Sequence, residues 1–353
     1  MNPASLIPPF DARLVLIDPW TTDFAFKGWI LLMGFLTSVA CGWVGQHLLL
    51  RRMALMGDAI SHSVLPGLAT AFLVASFLFE KSPSTTHAAR DSTVMLIGAI
   101  AAGWATTFFI DLIHRHSRIK QDSAIGIVFA TLFAIGVLLV TLFADHVDLD
   151  ADCVLYGEIG FIPFQPHGSL FGFPLGPIPV QRMAIVAALT VLATILFYKQ
   201  LLISAFDSGL ATSLGIHAPT VHFILMGWLA VVVVSAFESV GAILVIAMLI
   251  VPGATASLIA SRLPTLFALI LLHSAISTVA GLHIALWLDC SIAGAMVVAG
   301  CTLFVLAWAW SLFRRLRNQR SDPAEAENIG ASPEPAPVGP PVPAHPSGWR
   351  RSV

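Results

Sequence analysis

The sequence carries nine stretches of mostly apolar residues: 28–50, 59–79, 93–113, 124–144, 180–200, 219–236, 239–261, 264–288 and 292–313. A bilayer's hydrocarbon core takes roughly 20 helical residues to cross. Nothing in that core hydrogen-bonds a bare peptide group, so only helices and closed barrels span it. None of the stretches alternates apolar and polar residues as barrel strands do. The expected fold is therefore an all-α membrane protein, a polytopic bundle of eight or nine helices. Only Phe237 and Glu238 separate the sixth and seventh stretches, so the count of spans stays open between eight and ten. Composition excludes the rival classes. Of 353 residues, 57% are hydrophobic and 11% charged, against about a quarter charged in a soluble domain. Mean hydropathy is +0.86. A water-soluble enzyme has no use for so much apolar surface. The net charge of −2 leaves no basic excess to neutralise phosphates, which excludes nucleic acid as a partner.

Lys and Arg in the connections give the expected orientation, because basic residues favour the cytoplasmic side. One set of loops holds Arg51, Arg52, Arg115, Arg118, Lys120, Lys199, Arg262, Arg314, Arg315, Arg317 and Arg320. The opposite set holds Arg13, Lys27, Lys81, Arg90 and Arg182. The first set is expected inside, with the C-terminus, and nine spans then put the N-terminus outside. Residues 1–27 form an N-terminal segment, and its prolines and aspartates do not read as a cleavable signal. Residues 28–313 form the membrane domain. Residues 314–353 begin basic and turn proline-rich, with eight prolines after Arg320, and are expected to be a disordered cytoplasmic tail. The connection 145–179 is acidic, lacks Lys and Arg, and is expected outside.

There is no G-x-x-x-x-G-K-[ST], so the chain does not itself hold ATP in a P-loop. H-E-x-x-H and G-x-S-x-G are absent too, and the four cysteines lie far apart. Polar groups at or inside the apolar spans are then the informative ones, since they are costly there. Asp58 and His62, in MALMGDAISHSVLPG, are four residues apart, one helical turn on one face. A carboxylate and an imidazole so placed can share a cation, but a divalent transition metal wants four or more ligands. The pair is thus half a site, which a second copy across a two-fold axis would complete. The alternative is that Asp58 caps a helix and His62 packs. Ser61 and Ser63 read as ties to backbone or neighbouring helices, and Pro66 and Gly67 loosen the helix beyond the pair.

Glu238, ahead of an apolar run with Gly241, Gly253, Ala254 and Ala256 for close helix contact, is either the mouth of a cation path or an interfacial carboxylate. Pro252 is expected to kink or end that helix. Phe206–Ile216, FDSGLATSLGI, reads as a short surface helix capped by Asp207 and closed by Gly215, or as a plain connecting loop. Asp148, Asp150 and Asp152 alternate like an EF-hand start, but the glycine and glutamate such a loop needs are missing, which excludes Ca²⁺ there. His222, His273 and His283 are lone residues that read as packing.

Four motifs in order carry a family resemblance: MALMGDAISHSVLPG, DSAIGIVFATLFAIGVLL, FDSGLATSLGI and SVGAILVIAMLIVPGATA. Together they resemble the permease subunits of bacterial ABC importers for manganese, zinc and iron, over roughly residues 28–313. The block DADCVLYGEI resembles the manganese/zinc branch. The resemblance implies a type II ABC importer-like permease in the bacterial inner membrane, paired with an identical or related chain. It implies cytoplasmic ATPase subunits and an extracytoplasmic metal-binding protein as partners. No resident cofactor is implied, only a transported divalent ion. The family's path-lining Asp and His fall on Asp58 and His62. Its ATPase-coupling segment falls on Phe206–Ile216, with Asp207, Gly209 and Gly215. Two rivals remain: a secondary carrier without ATPases, which would want more intramembrane carboxylates, and an ABC permease for a metal chelate.

Overall fold

The computed structural model describes residues 8–79, 92–143, 159–170 and 173–321. Its helices are α1 (Phe24–Leu50), α2 (Met56–Phe79), α3 (Ser92–His116), α4 (Gln121–Phe143), α5 (Ile178–Leu196), α6 (Tyr198–Phe206), α7 (Ser208–Ser213), α8 (Ala218–Ile259), α9 (Leu263–Leu288) and α10 (Ile292–Ser321). Eight stretches of helix among the described residues are long and apolar enough to cross a membrane, and Ile243–Ile259 is a shorter apolar helix. The chain divides into two compact units, Met1–Trp308 and Ala309–Val353. In the second unit the described residues are helical through Ser321, with the Arg314 guanidinium 5.5 Å over the Trp310 ring. Helix therefore runs past residue 313, where the sequence suggests a tail, because LFRRLRNQR is made of good helix formers. The proline-rich remainder lies outside the described residues.

The fold is nearly, but not wholly, helical. The connection expected at 145–179 contains a 3₁₀ turn, Ile159–Phe164, and an antiparallel hairpin, β1 (His167–Leu170) with β2 (Phe173–Pro177). His167 pairs with Pro177 and Leu170 with Phe173, with an irregularity between Gly168 and Ser169. The turn buries Ile159 and Ile162, and Phe164 meets Phe26 of α1 edge-on at 4.8 Å. Gln181 of α5 donates to the Gly176 carbonyl at 2.8 Å, which fixes the hairpin to the helix it precedes. The acidic run Asp148–Glu158 lies outside the described residues. At the N-terminus, His283 Nδ1 donates to the Val15 carbonyl at 2.7 Å, and Trp20 Nε1 donates to His283 Nε2 at 3.4 Å. His283 is thus a tether rather than a packing residue. His273 is buried in α9.

Helix α1 is the centre of the bundle. Its residues Thr37 to Leu48 are all buried, against α8, α5 and α9. Ser38 Oγ donates to Ser274 Oγ at 2.8 Å, a polar tie of the kind that joins helices in lipid. At its end, Met53 N–H bonds the Leu48 carbonyl (2.9 Å) and Arg52 N–H bonds the Leu49 carbonyl (3.1 Å), with Arg52 at φ 59°. This is a Schellman stop with arginine in the position glycine usually takes. Buried Met53 and Met56 then turn the chain directly into α2.

Helix α8 is broken at Gly241, whose φ of 78° and ψ of 166° lie outside helical space. The first leg begins beside the end of α1, where His222 meets Arg51. The second leg returns to that end: a side chain on Gly253 would crowd Leu49 and Gln46. Further up α1, Ser38 reaches Met248 Sδ at 3.2 Å. The chain therefore reverses around Gly241, and the expected stretches 219–236 and 239–261 are two legs of one element. Pro252 does not end the second leg, which continues to Ile259. It removes one backbone bond, to the Met248 carbonyl, within a buried contact. The returning leg touches α1 backbone to backbone, because a Cβ on Gly45 would overlap the Leu249 carbonyl oxygen. Gly45→Ala is expected to cost about 1–3 kcal/mol, as overpacking does. Gly126→Ala, in open space on α4, is its control. Thermal unfolding of the two variants in detergent checks the contrast.

Candidate functional site

Helix α2 begins at Met56, earlier than the apolar stretch 59–79, so Asp58 and His62 both lie inside the helix. Asp58 is in the first turn and is not a cap. Asp58 Oδ1 and His62 Nε2 are 3.4 Å apart, and the side chains are 43% and 32% exposed, while their neighbours Met56, Gly57, Ala59, Ile60 and Ser61 are buried. The two polar groups thus occupy the open flank of otherwise packed first turns. The imidazole leans on Phe129 and Phe133 of α4, with ring centroids at 4.9 and 5.7 Å. Ser61 and Ser63, both buried, donate to the carbonyls of Gly57 and Ile60, the backbone ties the sequence suggests. Pro66 leaves the His62 carbonyl without its helical donor. Its ring fills the space that Gly136 of α4 leaves open.

Two features define what this pair can do. Among the described residues no group of three or more His, Cys, Asp or Glu could hold a metal ion, and the pair stands as two groups. A half-open carboxylate on a helix flanked by apolar spans is also costly against lipid. It must face water or another polypeptide. The pair is therefore suited to a water-filled path or an interface.

The other expected site residues lie apart from the pair. Asp207 caps α7, its Oδ1 accepting from Gly209 N–H (2.8 Å) and Leu210 N–H (2.9 Å). Gly215, at φ 79°, ends the segment. The capped helix expected over 206–216 is present, at the end of α6. Glu238 lies in α8 shortly before the break at Gly241, and its side chain is not among those described.

The sequence reading passed over a polar cluster at the end of the bundle where α1 stops. Arg51 Nη2 donates to Ser204 Oγ of α6 (2.8 Å), and Arg51 Nη1 donates to His222 Nδ1 of α8 (3.1 Å). His222 Nε2 donates to Asp111 Oδ1 of α3 (3.3 Å), and Asp111 Oδ2 accepts from Arg115 Nη2 (3.3 Å). His222 is a bonded relay between a cation and an anion, not a lone packing residue. Burial pulls the Arg51 guanidinium below its ordinary pKa, but arginine stays charged at any physiological pH. The signal for this cluster was Asp111 itself, a carboxylate inside the apolar stretch 93–113.

These features define a class: a multi-pass membrane permease, built around a helix that presents a carboxylate–imidazole pair at an open flank. Residues 23–311 match the ABC 3 transport family, and the chain belongs to that family. It is 40% identical over 287 residues to the manganese transport system membrane protein MntD of Bacillus subtilis, spanning 81% of this chain and 92% of that one. It is 38% identical over 282 residues to the zinc transport system membrane protein TroD of Treponema pallidum, spanning 80% and 73%. Among solved structures it resembles PsaBC from Streptococcus pneumoniae in complex with Fab, with TM-score 0.65, 32% identity and coverage of 84% of this chain and 95% of that one.

Proposed function

We propose that this chain forms the membrane path of an ATP-driven importer of divalent transition-metal ions, with manganese and zinc the leading substrates. The observation that carries the reading is the Asp58–His62 pair, 3.4 Å apart on one half-open helix face. A hydrated divalent ion does not cross hydrocarbon bare. A mixed oxygen and nitrogen site suits Mn²⁺, Fe²⁺ and Zn²⁺ alike. Two such pairs, one from each of two permease chains, replace part of the ion's water shell. The site must hold the ion only transiently, since conduction needs binding weak enough to release. The relatives named as manganese and zinc transport proteins support the choice of metal.

ATP hydrolysis takes place on separate cytoplasmic subunits that grip the Asp207-capped helix α7 and the Gly209–Gly215 segment. An extracytoplasmic binding protein delivers the ion. ATP-driven movement biases the path between outward-open and inward-open states. The basic residues in the connections support a cytoplasmic side for α7 and the C-terminus.

In cells lacking the transporter and complemented with this chain, its ATPase and its binding protein, uptake of radioactive Mn²⁺ is expected to be restored. Excess unlabelled Mn²⁺ or Zn²⁺ should block it, and a ferric chelate should not. Restored uptake of the chelate alone would overturn the reading. So would full Mn²⁺ uptake by the chain without any ATPase subunit, since that is the behaviour of a secondary carrier.

A further inference from the structure

We propose that Arg51, with Ser204, His222 and Asp111, is the link that carries movement of the α6–α7 segment into the helices holding Asp58 and His62. The inference rests on the reading of α7 as the ATPase-coupling helix. Arg51 is a positioning residue here; it touches no metal.

The geometry points this way for three reasons. The guanidinium is a fork with one arm on each of two elements: Ser204 sits in the last turn of α6, just before the Asp207 cap of α7, and His222 sits in the first leg of α8. A rigid planar fork holds both partners only at one relative placement of α6 and α8. His222 extends the contact to Asp111 on α3, so a shift of α6 is felt by three further helices. Finally, no slack follows Arg51 towards the metal pair. The Schellman turn at Arg52 and buried Met53 and Met56 lead straight into the first turn of α2, which carries Asp58.

Burial separates this cluster from ordinary surface ion pairs. The His222 and Asp111 side chains are 14% and 16% exposed, so water competes little for their bonds and each is charge-assisted.

The test uses the full complex, permease with its ATPase subunits, reconstituted in lipid vesicles with the metal-binding protein supplied. Mn²⁺ uptake and ATP hydrolysis are measured in parallel. Arg51→Lys keeps the charge and loses the fork. Ser204→Ala removes a single hydroxyl and one arm, and it decides the matter if Arg51→Lys fails to assemble. The expected result is that ATPase subunits still copurify and hydrolysis stays within about twofold, while Mn²⁺ moved per ATP falls about tenfold. An unchanged ratio of Mn²⁺ to ATP in Ser204→Ala overturns the inference. Asp207→Ala separates the two levels of the argument. If it weakens ATPase association while Ser204→Ala leaves the ratio unchanged, the coupling reading stands and this inference falls. If Asp207→Ala leaves association and hydrolysis intact, the coupling reading itself fails, and the inference falls with it.

Discussion

Replacing Asp58 by alanine should abolish metal uptake while the permease still assembles with its partners. The side chain is 43% exposed, and its polar contact among the described residues is to His62 at 3.4 Å, so little packing is lost. What is lost is the negative oxygen offered to the cation. Taking a charged ligand from this half-exposed site is expected to cost about 1.5–3 kcal/mol, roughly ten- to a hundredfold in site occupancy. Because the site would draw on two copies of the pair, a homodimer loses both oxygens at once. His62→Ala removes the ring nitrogen beside Asp58 and also the ring that leans on Phe129 and Phe133, so it is expected to lower both uptake and thermal stability. Asp58→Asn keeps the shape without the charge and should behave like Asp58→Ala. Uptake in vesicles, with size-exclusion chromatography of the complex, reads both consequences. Wild-type uptake by Asp58→Ala would remove the pair from the path.

The extent to which this molecule is legible in its sequence follows from the range of the interactions involved. A bilayer imposes its demand on every residue of a span, so the apolar stretches announce α1 to α5, α9 and α10 with little error. Asp58 and His62 share one helical turn, and a turn is local. Asp207 and Gly215 are equally local: a cap accepts from residues two and three positions on, and a left-handed stop needs glycine. The cluster around Arg51 is different in kind. Its members come from α1, α3, α6 and α8, and nothing in the spacing of Arg51, Asp111, Ser204 and His222 says which helices will be neighbours. The hairpin at 167–177 escaped for another reason. It is two short strands built on HGSL and FPLGP, where glycine and proline hide any alternation.

The reversal of α8 is the feature whose consequences reach furthest, and Gly241→Ala tests it. At φ 78° and ψ 166° the residue sits in a region essentially reserved for glycine. Sequence alone suggested close helix packing for Gly241, since small residues do both jobs and only the backbone angles tell them apart. A Cβ there strains its own peptide groups, with an expected cost of about 3 kcal/mol. The neighbours cannot absorb it. Val240, Leu244 and Val245 are fully buried, so neither leg can rotate without leaving its packing. The strain would instead be relieved by displacing the returning leg. That leg lies against α1 at Gly45 and against α2 at Gly57, both through Leu249. Gly57 is the residue before Asp58. A displaced Leu249 therefore moves the helix turn that bears the metal pair, although Gly241 itself lies far from it along the leg. Gly241→Ala is expected to lower the unfolding temperature in detergent and to reduce uptake as the turn bearing Asp58 is displaced. Gly241→Asn should fare no better, because asparagine tolerates the left-handed helical region but not ψ near 166°. Normal uptake and unchanged unfolding in Gly241→Ala would mean that α8 reverses without this backbone geometry, and the link from the break through Leu249 to Asp58 would then have no mechanical basis.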